Sequence, residues 1–336
     1  MFVLPKVAFT EPSDTESADC SSLAIQDTAA DAESDPPSAT GTAMVSSFAA
    51  DPRELQAIAD CASPTAFSLS GSSDSGTALS TEAEAAIEAA LEPYEADGVP
   101  AGFLLLDCTT GLGIACNIDE VIYGASSFKA PYAAYVCQEH IETGLVELGT
   151  YLDYYTQSAT GSYRISGYST LEGILSDTIV YSSNGAFGSL REAFDGAVFD
   201  TWLEAQGVDI DESDGSWFPS LTVRDAAALW MNVRNYLDTE TDTASLLSGL
   251  LASAETSFIR DALADVDGAT VRDKAGWYAD GSSSAYNSVC DSGIVSVGES
   301  DYLLCIMTGA AWSDESVDDF EDLAAAVFAA RSDLTA

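Results

Sequence analysis

The order of the apolar patterns along the chain most constrains how it can fold. Apolar runs typical of buried strands occur near both ends, while helical periodicity dominates from about residue 145 to 267. The predicted strands are 102–108, 112–118, 270–278, 288–297 and 302–308. We therefore expect an α/β (α+β), two-lobed fold: one antiparallel sheet built from the terminal segments and flanked by helices, plus an all-helical lobe. An active site is expected in the cleft between the lobes.

The first 78 residues have a different composition. They are rich in Ser, Ala, Asp, Thr and Pro and contain few large apolar residues, which predicts a disordered acidic tether over 1–78. A short helix is predicted within it, near Pro52 to Cys61. The folded domain is expected to span 79–336 and to open with a helix whose capping box is Thr81 and Glu84.

The charge balance excludes two classes of partner. Fifty-five acidic residues against eleven basic ones give a formal net charge of −44. Nucleic-acid binding requires a basic surface, and adsorption to anionic lipid requires one too, so neither is expected. No apolar stretch reaches the roughly 18 residues needed to span a membrane, so we expect no membrane insertion by this chain. The bias also makes lysine informative, because the only lysines are Lys6, Lys129 and Lys274.

Cysteine and histidine give no sign of a metal or a cofactor. The seven cysteines form no C-x-x-C pair, and the single histidine is at no metal-ligand spacing from them. Cys108 and Cys116 flank a predicted turn and could face each other across a hairpin. Free, buried cysteines are an equally good interpretation.

Ser126 and Lys129 form the candidate catalytic pair. A nucleophilic serine needs a base within hydrogen-bond reach, and His140 lies about 21 Å further along the same predicted helix. Residues i and i+3 share one helix face, so the Lys129 amine can reach back to the Ser126 hydroxyl. Burial and a neighbouring cation can lower the pKa of a lysine enough for it to act as a base. His140 is interpreted as a helix-end residue.

Two later motifs strengthen a pair that alone is weak, since serine is abundant here. Ser182-Ser183-Asn184 lies in a predicted loop between helices, and Lys274-Ala275-Gly276 lies on a predicted strand. Both non-terminal lysines therefore fall within the three elements.

The ordered set S-x-x-K, S-x-N and K-x-G resembles that of class A β-lactamases and penicillin-binding proteins, from about residue 80 to the end. The resemblance implies a serine hydrolase that forms an acyl-enzyme on Ser126, with Lys129 as general base and Ser182 relaying a proton to the leaving nitrogen. We also expect a monomer that acts on a small-molecule or peptidoglycan-derived substrate, outside the cell or at its surface.

The same resemblance assigns substrate-binding roles. Asn184 would hydrogen-bond the substrate amide, and Lys274 would supply positive potential and orient a substrate carboxylate. Gly276 belongs to the third motif, and the backbone N–H groups of Ser126 and Trp277 would form an oxyanion hole.

The departures from the family pattern concern function more than fold. Ser183 replaces an aspartate, which predicts lost loop hydrogen bonds, and Ala275 replaces a hydroxyl residue that helps to bind the substrate carboxylate. The Glu-x-x-Leu-Asn pattern that would activate a deacylating water is not found after Ser182. The acids of that segment are interpreted as solvated loop charges: Asp209, Asp211, Glu212 and Asp214.

Three functions remain open on the sequence. The first is hydrolysis of a β-lactam or a related amide or ester. The second is a penicillin-binding DD-peptidase or transpeptidase that acts on cell-wall peptides. The third, from another class, is a catalytically retired cell-surface binding module.

Overall fold

The computed structural model describes residues 51–69, 78–157, 162–210, 217–280 and 283–334. Within these ranges, one six-stranded antiparallel sheet has the strand order β1-β3-β2-β10-β9-β8, so strands from both ends of the domain are neighbours, as predicted. Two short ladders pair β4 with β7 and β5 with β6. The strands are β1 Thr65–Ser68, β2 Ala101–Asp107, β3 Leu112–Cys116, β4 Ile122–Tyr123, β5 Tyr151–Gln157, β6 Tyr163–Thr170, β7 Ser220–Leu221, β8 Ala269–Tyr278, β9 Ser288–Val297 and β10 Ser300–Thr308.

Helices cover both faces of the sheet. Helices α1, α8 and α9 pack on one face, and helices α2 to α7 contribute to the core on the other. The helices are α1 Thr81–Asp97, α2 Lys129–Val136, α3 Leu171–Ile179, α4 Asn184–Phe194, α5 Ala197–Gln206, α6 Val223–Leu237, α7 Asp242–Ala252, α8 Phe258–Ala262 and α9 Asp314–Ala329. The predicted antiparallel sheet flanked by helices is therefore confirmed.

The central strand β2 shows why the sequence forms this layered structure. All seven of its residues are buried, because both faces of the sheet are covered. Leu104 and Leu106 pack on the side of α2 and α6, whereas Phe103 and Leu105 pack on the side of α1 and α9. The alternation of side chains along the strand thus supplies two hydrophobic cores, one on each face.

The region predicted as all-helical contains a β-hairpin, so that prediction is wrong for residues 151–157 and 163–170. Strands β5 and β6 pair in antiparallel register with a bulge at Tyr154/Tyr155. Most of their side chains are at least partly exposed, so no strong apolar alternation marks them in the sequence. The hairpin lies against the start of α4, where a Cβ on Gly185 would overlap the carbonyl group of Tyr155. Only glycine permits this approach.

The folded domain begins earlier than residue 79. Residues Pro52–Ala57 form a 3₁₀ helix in place of the predicted short helix, and β1 pairs with β3 at the edge of the sheet. Leu55 is fully buried, and its carbonyl group accepts a hydrogen bond from Arg224, which also pairs with Asp119 at 2.7 Å. The predicted tether is therefore wrong for residues 51–69, because these apolar and polar contacts hold them on the domain. Residues 1–50 and 70–77 lie outside the described part.

Cys108 and Cys116 do not form the disulfide that a hairpin would have allowed. Both are free and buried, and they belong to the cores on opposite faces of the sheet. A disulfide between them is excluded because side chains on opposite faces of a sheet point away from each other. In the described ranges, no helix is long and apolar enough to cross a membrane.

Candidate active site

Ser126 lies in a tight turn that leads into α2. Residues Ala125–Phe128 form a 3₁₀ turn that continues directly into the helix. The Ser127 hydroxyl donates to the Gly124 carbonyl at 2.6 Å and fixes the turn from below. Ala125 has a φ of +46°, a conformation that costs a non-glycine residue free energy and persists only where surrounding contacts impose it. The strained residue immediately precedes the candidate nucleophile.

Strand β8 lies directly against this turn. A Cβ placed on Gly276 would be 2.7 Å from the Ser126 amide nitrogen and 2.7 Å from the Gly124 carbonyl oxygen. No side chain fits in that space, so glycine is required for the strand to reach the turn. Gly276 therefore sets the position of its neighbour Trp277 relative to Ser126. The oxyanion hole formed by the amides of Ser126 and Trp277 remains a prediction.

The structure brings Lys129 together with the second motif. The Lys129 side chain is fully buried, and its Nζ donates to the Ser182 carbonyl oxygen at 2.6 Å and to Asn184 Oδ1 at 2.6 Å. The Ser182 hydroxyl lies 3.3 Å from the same nitrogen. Three of the predicted site residues, from two separate segments, therefore form one hydrogen-bonded cluster.

The surroundings of Lys129 favour the neutral amine. Burial, and secondly the charge of Lys274, hold the pKa of Lys129 well below its usual value. The rings of Phe187 and Phe218, with centroids 5.8 Å and 5.4 Å from Nζ, complete its apolar surroundings. A neutral amine has two N–H donors and one lone pair. The two short bonds use both donors, which leaves the lone pair for the proton of a hydroxyl group.

Ser183 explains how the second motif tolerates its altered middle residue. It is the N-cap of α4, and its side chain accepts a hydrogen bond from the Ala186 amide at 3.2 Å. Its own amide donates to the Asp177 carbonyl at 2.9 Å. The predicted loss of loop hydrogen bonds is therefore offset by a helix cap. Ser182, one residue earlier, has a φ of +52°, so a second strained residue lies in the cluster.

Lys274 is buried at the base of the site and is held by its own strand. Its Nζ donates to the Ala275 carbonyl at 2.8 Å. Burial lowers the pKa of Lys274 to about 8, although the nearby Asp291 and Asp273 oppose this effect. These two aspartates are fully buried beside α8, where Asp291 accepts hydrogen bonds from the Phe258 and Ile259 amides. Burial raises the pKa of both carboxyl groups.

A cavity of about 410 Å³ opens above the cluster and is lined by Ser126, Asn184 and Trp277. The other described residues that line the cavity were not predicted to belong to the site, and most of them are aromatic. They are Tyr123, Ala125, Gln157, Tyr163, Phe218, Tyr278, Asp280 and Tyr286. Tyr278 and Asp280 follow the third motif by a few residues, so proximity in the sequence could have suggested them. Gln157 and Tyr163 come from the β5–β6 hairpin, which no pattern in the sequence indicated.

Asn184 joins the hydrogen-bonded cluster of Lys129 to the cavity that the hairpin also lines. Asn184 Oδ1 accepts a hydrogen bond from Lys129, and Asn184 lines the same cavity as Tyr163 of the hairpin. The amide therefore joins the wall of the cavity to the buried amine.

His140 is not part of the site. It follows α2 in a short π-helical turn, hydrogen-bonds the Tyr135 hydroxyl at 2.9 Å and packs on Phe194 with ring centroids 4.6 Å apart. Its interpretation as a helix-end residue agrees with these contacts.

Comparison with known proteins decides the family. The model of the β-lactamase enzyme family matches residues 82–330, which is most of the chain. The chain belongs to this family. No curated protein sequence matches it significantly.

Solved structures of the β-lactamase family share the fold of this member at low sequence identity. A variant of PBP-A, in an acyl-enzyme complex with penicillin G, is 17% identical with a TM-score of 0.60, over 74% of this chain and 96% of the other. The β-lactamase from Sphaerobacter thermophilus DSM 20745 is 16% identical with a TM-score of 0.61, over 72% and 95%. A variant of the class A β-lactamase of the last common ancestor of Gram-negative bacteria is 21% identical with a TM-score of 0.60, over 75% and 100%.

Only some of the acids considered for deacylation lie among the described residues. Among the described residues that line the cavity, Asp280 carries the one carboxylate. Asp209 lines an adjoining cavity of about 500 Å³. Asp211, Glu212 and Asp214 lie outside the described residues, so the role of these three acids stays a prediction.

Proposed function

We propose that the chain is a serine hydrolase that forms an acyl-enzyme on Ser126, with Lys129 as the general base. One observation carries the proposal: a fully buried lysine amine with a depressed pKa, held by Ser182 and Asn184 one helical turn after a serine that lines an open cavity. Burying a lysine is costly, and this arrangement is the one that a lysine base requires.

The proposed reaction has two stages. Lys129 accepts the Ser126 proton while Ser126 Oγ attacks the substrate carbonyl carbon, and the resulting oxyanion accepts hydrogen bonds from the Ser126 and Trp277 amides. The proton passes through Ser182, which lies 3.3 Å from the amine, to the leaving nitrogen or oxygen as its bond to carbon breaks. Water then attacks the acyl-enzyme and releases the acid together with free Ser126.

The proposed substrate is a β-lactam or a related amide or ester. Membership of the β-lactamase enzyme family supports it, and so does the similarity to a PBP-A variant captured as an acyl-enzyme with penicillin G. Asn184 lines the cavity and is oriented by the hydrogen bond that its Oδ1 accepts from Lys129, so it is well placed to meet a substrate amide.

A penicillin-binding peptidase or transpeptidase is the second candidate. The similarity to PBP-A favours it, and the two candidates differ in the second stage of the reaction. A peptidase of this type would keep a β-lactam as a stable adduct, whereas a β-lactamase would release it.

Acylation by a fluorescent penicillin, followed by intact-mass analysis, tests the proposal. We expect a single adduct on wild type, located at Ser126 by peptide mapping, and none on Ser126→Ala. Turnover of a chromogenic cephalosporin then separates the two candidates: fast hydrolysis selects the β-lactamase, and a persistent adduct selects the peptidase. If no adduct forms and no Ser126-dependent esterase activity is found, the acyl-enzyme proposal fails and the retired binding module takes its place.

We further propose that the protein acts outside the cell or at its surface. Peptidoglycan-derived substrates and β-lactams are met there, and this location therefore follows from the proposed substrate. Fractionation of the native host, with antibody detection, would contradict it if the chain stayed with cytoplasmic markers.

A further inference from the structure

The rim of the Ser126 cavity, formed by Tyr123, Tyr278, Tyr286 and Asp280, differs in chemistry from its floor, which holds the buried Lys129 and Lys274. Tyr123 packs edge-on against Tyr278 and Tyr286, with centroid distances of 6.0 Å and 5.4 Å. Tyr278 and Tyr286 are 48% and 44% exposed, so about half of each side chain is open to solvent. Asp280 lines the same cavity, two residues after Tyr278. The rim therefore presents aromatic faces beside a carboxylate.

No arginine is among the described residues that line the cavity. All eight arginines lie in the described residues, and the undescribed segments contain a single basic residue, Lys6. Seven bind carboxylates, carbonyl groups or rings away from the cavity: Arg53, Arg191, Arg224, Arg234, Arg260, Arg272 and Arg331. Arg164 follows Tyr163 on β6, so the two side chains point to opposite faces of the hairpin, and only Tyr163 lines the cavity.

The two lysines of the site cannot replace an arginine at the rim. Lys129 and Lys274 are 0% and 1% exposed, and Lys274 is bonded to the Ala275 carbonyl. Ala275 has no hydroxyl group to offer. A carboxylate on the substrate therefore meets no accessible cation on the described rim.

The adjoining cavity has the same sign of charge. It shares Tyr123, Phe218 and Tyr286 with the first, and its charged lining residues in the described ranges are Asp209 and Asp225. The chain as a whole carries a formal charge of −44, which concentrates cations near such a surface. Local and overall electrostatics thus favour the same kind of ligand.

We propose that the site selects amide or ester substrates that carry an ammonium or guanidinium group, bound among Tyr123, Tyr278 and Tyr286 beside Asp280. The inference rests on the proposed acyl-enzyme function and adds the substrate class. Faces of tyrosine rings attract cations, and the neighbouring carboxylate adds a Coulomb attraction. A carboxylate placed at the same rim position would be repelled by Asp280.

Matched S-phenyl thioesters of phenylacetic acid test this inference. The para substituent is trimethylammonium, its neutral isostere tert-butyl, or carboxylate, on the acyl group in one series and on the thiol in a second. Thiol release reports kcat/KM. In at least one series we expect the cation to exceed the neutral ester by about tenfold, and the anion to be the poorest substrate.

Two charge-matched variants complete the experiment. Asp280→Asn should reduce the ratio of cationic to neutral kcat/KM by about three- to tenfold, whereas Asp267→Asn, which removes the same charge from an exposed turn, should leave the ratio as in wild type. Added salt should lower the same ratio in wild type. Ser126-dependent turnover without a cation preference, or with one that Asp280→Asn does not reduce, overturns this inference alone. No Ser126-dependent turnover of any ester overturns the proposed function as well.

Discussion

The floor and the rim of the cavity differ in burial and in the charge of their side chains. The floor holds Lys129 and Lys274, which are both buried. The Lys129 amine donates short hydrogen bonds to the Ser182 carbonyl oxygen and to Asn184 Oδ1. The rim holds Tyr123, which contacts Tyr278 and Tyr286 by ring edges, together with Asp280, and the Tyr278 and Tyr286 side chains are about half exposed. The floor resembles the motif pattern of the family closely, whereas most of the rim corresponds to no motif in the sequence.

The difference separates two questions about the site. Whether acylation occurs depends on the floor, because the proton of Ser126 must be accepted there. Which substrate is acylated depends on the rim, because the variable part of the substrate lies there. Variants of the two regions should therefore differ in kind: floor variants lower the rate for all substrates equally, and rim variants change the ranking of substrates.

The largest effect is expected for Lys129→Met. Loss of the base should slow acylation of Ser126 by about 100- to 10,000-fold, by the same factor for cationic and neutral esters. Stopped-flow acylation rates measure it. Lys129→Arg is the matched control, since a guanidinium fills similar space but cannot give up its proton, and it should not restore the rate. An arginine variant with near wild-type activity would show that Lys129 acts only as a charge.

The junction of floor and rim should be the next most sensitive point. Gly276→Ala puts a Cβ 2.7 Å from the Ser126 amide nitrogen, so either β8 or the Ser126 turn must move. A displacement of about 1 Å can cost about 100-fold in rate, and we expect a loss of that order in kcat/KM.

Gly249→Ala is the matched control for the junction. Gly249 lies within α7 with open space around its Cβ position, so this change should leave the rate unaltered and stabilise the helix by up to about 1 kcal/mol. Equal rates for the two variants would show that β8 does not position the site. Thermal unfolding of both proteins separates a local shift from loss of the fold.

The floor could be predicted from sequence and most of the rim could not, for a physical reason. Ser126 and Lys129 are three residues apart, so local helix geometry alone brings them together. Lys129 and Asn184 are joined by a fold that had to be taken from the family resemblance. Tyr163 reaches the cavity on a half-exposed hairpin, which lacks the apolar alternation that identifies strands.

Errors at element boundaries have a similar local cause. Helix α1 is capped by Ser80 rather than by the predicted Thr81. Adjacent hydroxyl residues offer equivalent caps, and tertiary contacts decide between them. In α1, Ser80 also donates to Asp333 at 2.8 Å, a contact that no local pattern contains.

A smaller effect should appear in the pH dependence of acylation. The rate should rise with pH as Lys129 loses its proton, and the charge of Lys274 helps to hold the pKa of Lys129 down. Lys274→Met should therefore move the rising limb to higher pH. Because the pKa of Lys274 is itself lowered to about 8, the difference from wild type should be largest below pH 8 and should shrink above it.

Arg272→Met is the control for that profile. Arg272 lies on the same strand, two residues away, but is paired with Asp301 at 3.6 Å. Removing its charge should leave the limb in place. Equal displacement by both variants would mean that overall charge, and not the neighbouring amine, sets the pKa of Lys129.

The smallest effect is on stability, where the effect of a floor variant should depend on pH and that of a rim variant should not. The folded-state pKa of Lys129 is lower than its unfolded value, so the unfolded chain binds the extra proton and folding is penalised below about pH 10. Lys129→Met should therefore increase the free energy of unfolding at pH 7 by about 1–4 kcal/mol, the range seen when buried ion pairs are replaced by well-packed apolar groups. The gain should shrink as the pH rises towards 10, whereas Tyr278→Ala at the exposed rim should show no such trend. Urea titrations at pH 7 and pH 10 measure both. Destabilisation by Lys129→Met at pH 7 would mean that the hydrogen bonds to Ser182 and Asn184 outweigh the cost of burial, so that the floor is a structural element as much as a catalytic one.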